Sequence, residues 1–528
     1  MSDIEYNLID ERWIIATDER GNTESFGIRD LFEHAHELKS LSGEVPQQDL
    51  VVIRFLLAIV YAVYLRRDES GNPRETDDPD EMLDRWEALW ERGRFDVDVI
   101  EGYLDEYKER FYLFHPTRPF YQAPIEVGSE YDAPKLNGSL SESGNKVRFF
   151  RPISSKSSRS MSYSEAARWV IYLNAYDDTS AKPKGSGLPS CGAGWVGKIG
   201  PVMAEGHNLF ETLMLNLVLV DSDGNVVQNG VTTWESEECK CDERSKIPTP
   251  RSPIEMLTMQ SRRILLKREG DRVTGYRLLG GDFIDKENAV VEQMTMWRVT
   301  KEGALTPKRL DPSRSMWRDY QALLTKYEGE EIGRKPGIVS WLSMLVDHDM
   351  IDYSMMSLRC VGVCYGDKDF FVDDLVDDHL SINSGLLSEL NDVWNSRIVG
   401  TIKKTDQCVT FLYLFAMNLE ELNGSDKDHA KTIASKASQR GYAALDQPFR
   451  RWLSSIEPSD DKESRLNEWD SIMERTLLSL GREMLESASM RSMKGSDDNP
   501  DKNAFSMFRL FMNSLFKLTR REKDEQSR

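Results

Sequence analysis

The longest run of apolar positions has no polar face. Residues 49–65 (DLVVIRFLLAIVYAVYL) are apolar on nearly every side of a helix, which predicts a helix at the centre of the core. Ahead of it, residues 7–16 and 23–28 flank a turn at 18–22 and predict an opening hairpin, with a helix following. Residues 80–94 carry a narrower stripe, Met82, Trp86, Leu89 and Trp90, behind the start signal Asp78-Pro79. Ser162-x-x-Glu165 is a capping-box pattern, and Ala166, Trp169, Val170 and Leu173 recur at helical spacing behind it. Asn208 and Glu211 repeat that logic before an apolar helix expected over 209–220.

Further along the pattern changes to strands. Residues 264–267 and 272–279 flank a turn at 268–271, and a second hairpin over 358–372 turns at Gly366-Asp367-Lys368-Asp369. After about residue 375 strand signals vanish. Four helical segments are expected at 381–421, 426–456, 459–487 and 501–523, separated by Asn423-Gly424, Glu457-Pro458 and residues 495–500. Short connections favour an antiparallel arrangement. The expected fold class is therefore α+β: a large mixed α/β N-terminal domain with irregular loops (1–374), then a C-terminal antiparallel four-helix bundle (375–528).

Composition narrows the function. A chain of 528 residues with 39% hydrophobic and 30% charged residues has room for two or three domains, and its net charge of −21 opposes indiscriminate coating of nucleic acid or anionic membrane. Any nucleic-acid contact must be local. Six scattered cysteines suit a reducing compartment. The acidic opening MSDIEYNLIDERW lacks the basic and apolar regions of a signal peptide, so a cytoplasmic location is expected, without a membrane span.

Against that acidic background, residues 182–200 (KPKGSGLPSCGAGWVGKIG) hold six glycines and three lysines but no acid. Glycine lets a backbone approach a ligand closely, and an anionic ligand is the natural partner. No P-loop, dinucleotide fingerprint or nucleophile elbow accompanies it. His34-x-His36 reads as solvated surface, since that spacing points the two rings to different helix faces, and Cys239-x-Cys241 lacks the second pair that zinc usually takes. Asp347-His348-Asp349, Asp352, Asp373, Asp374, Asp377, Asp378 and His379 form the best candidate set for a metal-dependent nuclease or phosphohydrolase. The later acids also stand where the bundle is expected to begin, and the helix dipole alone favours acids in a first turn.

Two basic clusters remain. Residues 146–159 (KVRFFRPISSKSSR) combine five cations with adjacent aromatics in a predicted loop, a composition that suits a nucleic-acid backbone or an unstacked base as well as a merely solvated loop. Arg509, Lys517, Arg520, Arg521 and Lys523 end the last helix, where dipole and solubility account for them.

The segments NLIDERWI, FHPTRPFYQAP (114–124), the glycine-rich stretch running into GHNLFETLMLNLV, MQSRRILL (259–266) and DPSRSMWRDYQALL (311–324) occur in this order. Together they resemble the large subunit of type I-E CRISPR Cascade complexes, the CasA family, over essentially the whole chain. The resemblance implies a non-catalytic subunit without a cofactor, placed at the 5′ handle of a guide RNA beside backbone, handle-binding and small subunits. Such a subunit recognises the protospacer-adjacent motif of double-stranded DNA, mainly from the minor groove, helps open the duplex and recruits a helicase-nuclease.

The resemblance also assigns residues. A groove-entering glycine loop matches Ser190, Cys191, Gly192, Ala193 and Gly194, and a β-branched residue at Gly192 or Gly194 is then expected to weaken target binding while sparing assembly. A hairpin tip that parts the first base pair matches Lys368, Asp369 and Phe370. The family position is often glutamine, and either Asp369 or Phe370 stands in its place. Phe149, Phe150 and Arg151 match a loop that docks on the guide-RNA handle and neighbouring subunits. A groove-reading lysine of the family falls between 294 and 301, with Arg298 and Lys301 both in range. Some members carry a zinc-binding cysteine cluster, which Cys239 and Cys241 alone do not complete.

Overall fold

The computed structural model describes residues 4–138, 160–179, 192–242, 244–324, 334–495 and 501–520. Packing divides the chain into two units. The first comprises Met1–Pro312, Lys326–Met350 and Ser357–His379; the second gathers Ser313–Thr325, Ile351–Met356 and Leu380–Arg528. The expected boundary at 374/375 falls inside a strand, Val372–Asn383.

The first unit is built around the helix Pro46–Tyr64, almost every side chain of which is buried. By length and composition this helix would cross a membrane, but 94% of its most apolar window lies inside the protein. It is a core helix, and a longer one than its uninterrupted apolar run suggested. The helix Pro79–Arg92 buries Met82, Trp86 and Leu89, starts where Asp78 accepts from the Asp80 amide, and ends at Gly93 in the left-handed region. Ser162 caps the helix Tyr163–Tyr176 through the Glu165 amide. Small sheets surround these helices. The order in one is Ser129–Asp132, Arg272–Gly280, Arg262–Glu269, and in another Val372–Asn383, Met355–Tyr365, Val202–Glu205.

Two expected elements differ. The helix begun at Leu209 ends at Leu215 rather than at residue 220. There Asn216 turns its side chain onto the backbone of Ala204, accepting from its amide at 3.0 Å and donating to its carbonyl at 2.7 Å. The apolar residues beyond it are buried in irregular chain closed by a bridge between Val220 and Val226. The acidic run 373–379 is not a first helical turn but part of the strand Val372–Asn383. That strand lies at a sheet edge; residues 372–375 are exposed, and an alternation that starts half-buried at Val376 reaches buried positions only at Leu380 and Ile382.

In the second unit the helices Asp392–Asn423, Lys427–Ser454, Lys462–Glu486 and Ala504–Thr519 form a helical C-terminal region, and the first packs on all three others. Its core is aromatic. Phe449 meets Trp469 edge-on at 4.9 Å, and the Trp469 indole donates to Thr405 Oγ1 at 3.0 Å. An earlier segment joins this core: Trp317 stacks on Phe449 at 4.2 Å and donates to Asp446, and Tyr320 donates to Asn395.

Candidate nucleic-acid interface

The helix Tyr163–Tyr176 leads toward the glycine-rich stretch, and one arginine holds Gly192 within that stretch. Arg262 is wholly buried at the start of the strand Arg262–Glu269. Its Nε binds the Asp177 carboxylate, and its Nη2 donates to the carbonyls of Asp178 (2.9 Å) and Gly192 (2.7 Å). A charge removed from water needs such partners. Gly192 is half-buried with φ +68°, a conformation that favours glycine. Beside it the Lys198 ammonium lies 3.7 Å from the centre of the Phe283 ring, a cation–π contact.

From Ala193 onward the stretch turns inward. Ala193 and Gly194 are buried, and a methyl group on Gly194 would lie 2.3 Å from the Ala175 carbonyl oxygen. A helix end packs on Gly194, so a β-branched residue there would meet the Ala175 backbone. Trp195 carries the anchoring further: its indole donates to Glu292 Oε2 at 2.8 Å. Glu292 in turn takes two parallel bonds of 2.9 and 2.8 Å from Arg54 on the central helix. Burial opposes ionisation of Glu292, but the Arg54 charge prevails and holds its carboxyl below the usual range. Ser190 and Cys191 lie outside the described residues, as do Phe149, Phe150 and Arg151.

The hairpin expected over 358–372 is present and longer, Met355–Tyr365 and Val372–Asn383. At its tip Lys368 and Asp369 are both left-handed, with φ of +56° and +59°. Thr179 reaches this tip, donating from its amide to the Asp369 carbonyl at 2.9 Å and from Oγ1 to the Lys368 carbonyl at 2.8 Å. The residue just ahead of the glycine-rich stretch and the hairpin tip, read separately in the sequence, thus meet in space. The Asp369 carboxylate is engaged by Arg309 through bonds of 2.6 and 2.9 Å. That hydrogen-bonded contact raises the Arg309 pKa further above its ordinary value. Phe370 and Phe371 remain 45% and 43% exposed. Neither Arg309 nor Phe371 stood out in the sequence.

Arg298 is exposed on the strand Trp297–Val299, where its Nε donates to Thr306 Oγ1 at 3.3 Å, and Lys301 is exposed in the turn that follows. The strand continues a segment that bonds the end of the glycine stretch: the Met296 amide donates to the Gly200 carbonyl at 3.3 Å.

The candidate metal residues do not converge. His348 stands exposed at the end of the helix Gly337–Asp347, whereas His379 on the strand bonds Glu205 and Asp377 pairs with Arg359. Among the described residues no three His, Cys, Asp or Glu side chains group so as to hold a metal ion. Burial, with the neighbouring Cys241 thiol, pushes the Cys239 pKa up to about 11.

Comparison with known proteins agrees with this architecture. Residues 7–480 match the family model described as CRISPR-associated protein Cse1. The CasA/Cse1 protein of Thermus thermophilus is 30% identical over 332 residues, 62% of this chain and 61% of that protein's length. The crystal structure of Thermobifida fusca Cse1 superposes with a TM-score of 0.84 at 27% identity, covering 98% of each chain. A chain of a CRISPR RNA-guided surveillance complex shares the fold at a TM-score of 0.72 and 18% identity, over 97% of this chain and 99% of that one.

Proposed function

The chain belongs to the CRISPR-associated protein Cse1 family, and from that premise we propose that it is the non-catalytic large subunit of a type I-E CRISPR RNA-guided surveillance complex. In this reading it works in the cytoplasm beside the 5′ handle of the guide RNA and the backbone, handle-binding and small subunits. It recognises the protospacer-adjacent motif of duplex DNA, promotes strand opening and offers the platform for a helicase-nuclease. The minor groove is only about 6 Å wide. The glycines of the 182–200 stretch bring no side chain to obstruct so narrow a groove, and its lysines suit flanking phosphates.

The observation that supports this reading best is the pair of hydrogen bonds from Thr179 to the Lys368 and Asp369 carbonyls, which join the N-terminal flank of the glycine-rich stretch to the hairpin tip. With Asp369 engaged by Arg309, Phe370 is the side chain left to wedge at an opened base step. Binding of a guide-loaded complex to duplexes with a randomised adjacent motif tests the function. A sequence preference that weakens in Gly192→Val supports it, and no preference in the wild type overturns it. DNA cleavage by the pure chain with Mg²⁺ or Mn²⁺, abolished by His348→Ala, would sink the non-catalytic assignment.

A further inference from the structure

Building on the reading that residues 366–371 meet DNA, we propose that Arg309 is a positioning residue that locks the hairpin tip to the glycine-rich stretch, so that groove entry and strand parting act as one unit. Two consecutive non-glycine residues in the left-handed region persist only where their surroundings hold them. Lys368 and Asp369 are such a pair, and three restraints converge on them. Thr179, on the N-terminal flank of the stretch, donates to both of their carbonyls. Arg309 grips the Asp369 carboxylate through both prongs of its guanidinium.

The third restraint is where Arg309 comes from. Its neighbour Lys308 donates its amide to the Met296 carbonyl at 2.8 Å, and Met296 bonds Gly200. The Lys308 carbonyl oxygen packs on Gly200 so closely that a methyl group there would lie 2.1 Å away. Arg309 therefore leaves a backbone stretch fixed to the C-terminal flank of the glycine-rich stretch and reaches the tip, which Thr179 ties to the N-terminal flank. A planar fork holds a carboxylate in orientation as well as in place, which a lysine ammonium does not. The consequence for Asp369 is chemical: its charge is neutralised and both oxygens are occupied, so it acts by shaping the tip and leaves Phe370 and Phe371 as the exposed rings.

The test uses the full chain in a guide-loaded complex, comparing wild type, Arg309→Ala and Arg309→Lys in two measurements. Without DNA, amide hydrogen exchange at residue 179 and at residues 366–371 should rise together in Arg309→Ala, by about tenfold or more, with Arg309→Lys between it and the wild type. With DNA, opening of the first target base pair, followed by 2-aminopurine fluorescence, should slow by a similar factor. Binding to a duplex already mismatched at that position should stay within about twofold. Unchanged exchange in Arg309→Ala overturns the tie, and faster exchange with normal opening overturns its positioning role. A wild-type complex that opens no duplex, while exchange still responds to Arg309→Ala, overturns the DNA reading and the role built on it but leaves the tie itself standing.

Discussion

Arg262 donates to the Gly192 carbonyl at 2.7 Å while its Nε binds Asp177, so a single guanidinium joins the end of one helix to Gly192 of the glycine-rich stretch. Both charges of this pair are buried. Arg262→Ala leaves the Asp177 carboxylate without its counter-charge, a loss expected to cost about 3–5 kcal/mol. Urea unfolding of wild type and variant measures it, and a change below about 1 kcal/mol would show that the pair is not the anchor described.

Gly192 and Gly194 separate by mechanism. Alanine at Gly192 must adopt φ near +68° and meets only the Phe283 and Lys198 side chains, which can move. Its expected cost is about 1–2 kcal/mol from the left-handed backbone alone. Alanine at Gly194 meets backbone, the Ala175 carbonyl, and should lower the melting temperature more. Equal melting temperatures for the two variants would contradict that distinction.

The same contrast shows what was legible beforehand. Local signals such as the Ser162 cap, the Asp78-Pro79 start and the hairpin turns depend on residues within a few positions of one another, and those elements could be read. The acidic edge strand could not, because acids fill most of its first half and only Leu380 and Ile382 are buried apolar positions. At the site, composition marked the glycine-rich stretch and the hairpin tip but not what joins them: Arg262 and Arg309 act on residues 70 and 60 positions away. One signal was available. Arg262 and Arg263 are adjacent and stand directly before the apolar Ile264, Leu265 and Leu266, and buried cations on successive positions require acidic partners. Those partners are Asp177 and Asp282.

Glu292 is the deepest support of the stretch, holding both Arg54 and Trp195. Glu292→Gln keeps the shape and removes the charge, leaving the Arg54 guanidinium buried without compensation. Unfolding experiments should show a loss of about 3–5 kcal/mol, and the double variant Arg54→Met/Glu292→Met should lose less than Glu292→Gln alone. A double variant that loses more would mean that shape, not charge balance, dominates there.

His379 gives the hairpin a dependence on pH. Its Nδ1 lies 2.9 Å from Glu205 Oε2 on the strand Val202–Glu205 of the same sheet, and this hydrogen bond raises the imidazole pKa above its ordinary 6.5. Burial pushes Glu205 up, but its hydrogen bond to His379 and the nearby charges outweigh that, and its pKa falls below the ordinary 4.5. A raised folded-state pKa stabilises fully below the unfolded value and is lost as pH rises through the folded one. A lowered carboxylate pKa acts in the opposite sense, contributing above 4.5 and fading as pH falls through the folded value. The pair therefore contributes most between about pH 4.5 and 6.5 and progressively less above. His379→Gln should narrow the stability difference between pH 6 and pH 8.5, modestly because the ring is half exposed and screened by water. An NMR titration of the His379 ring with a midpoint at or below 6.5 would contradict this account, since the Glu205 contact could then not be favouring the imidazolium.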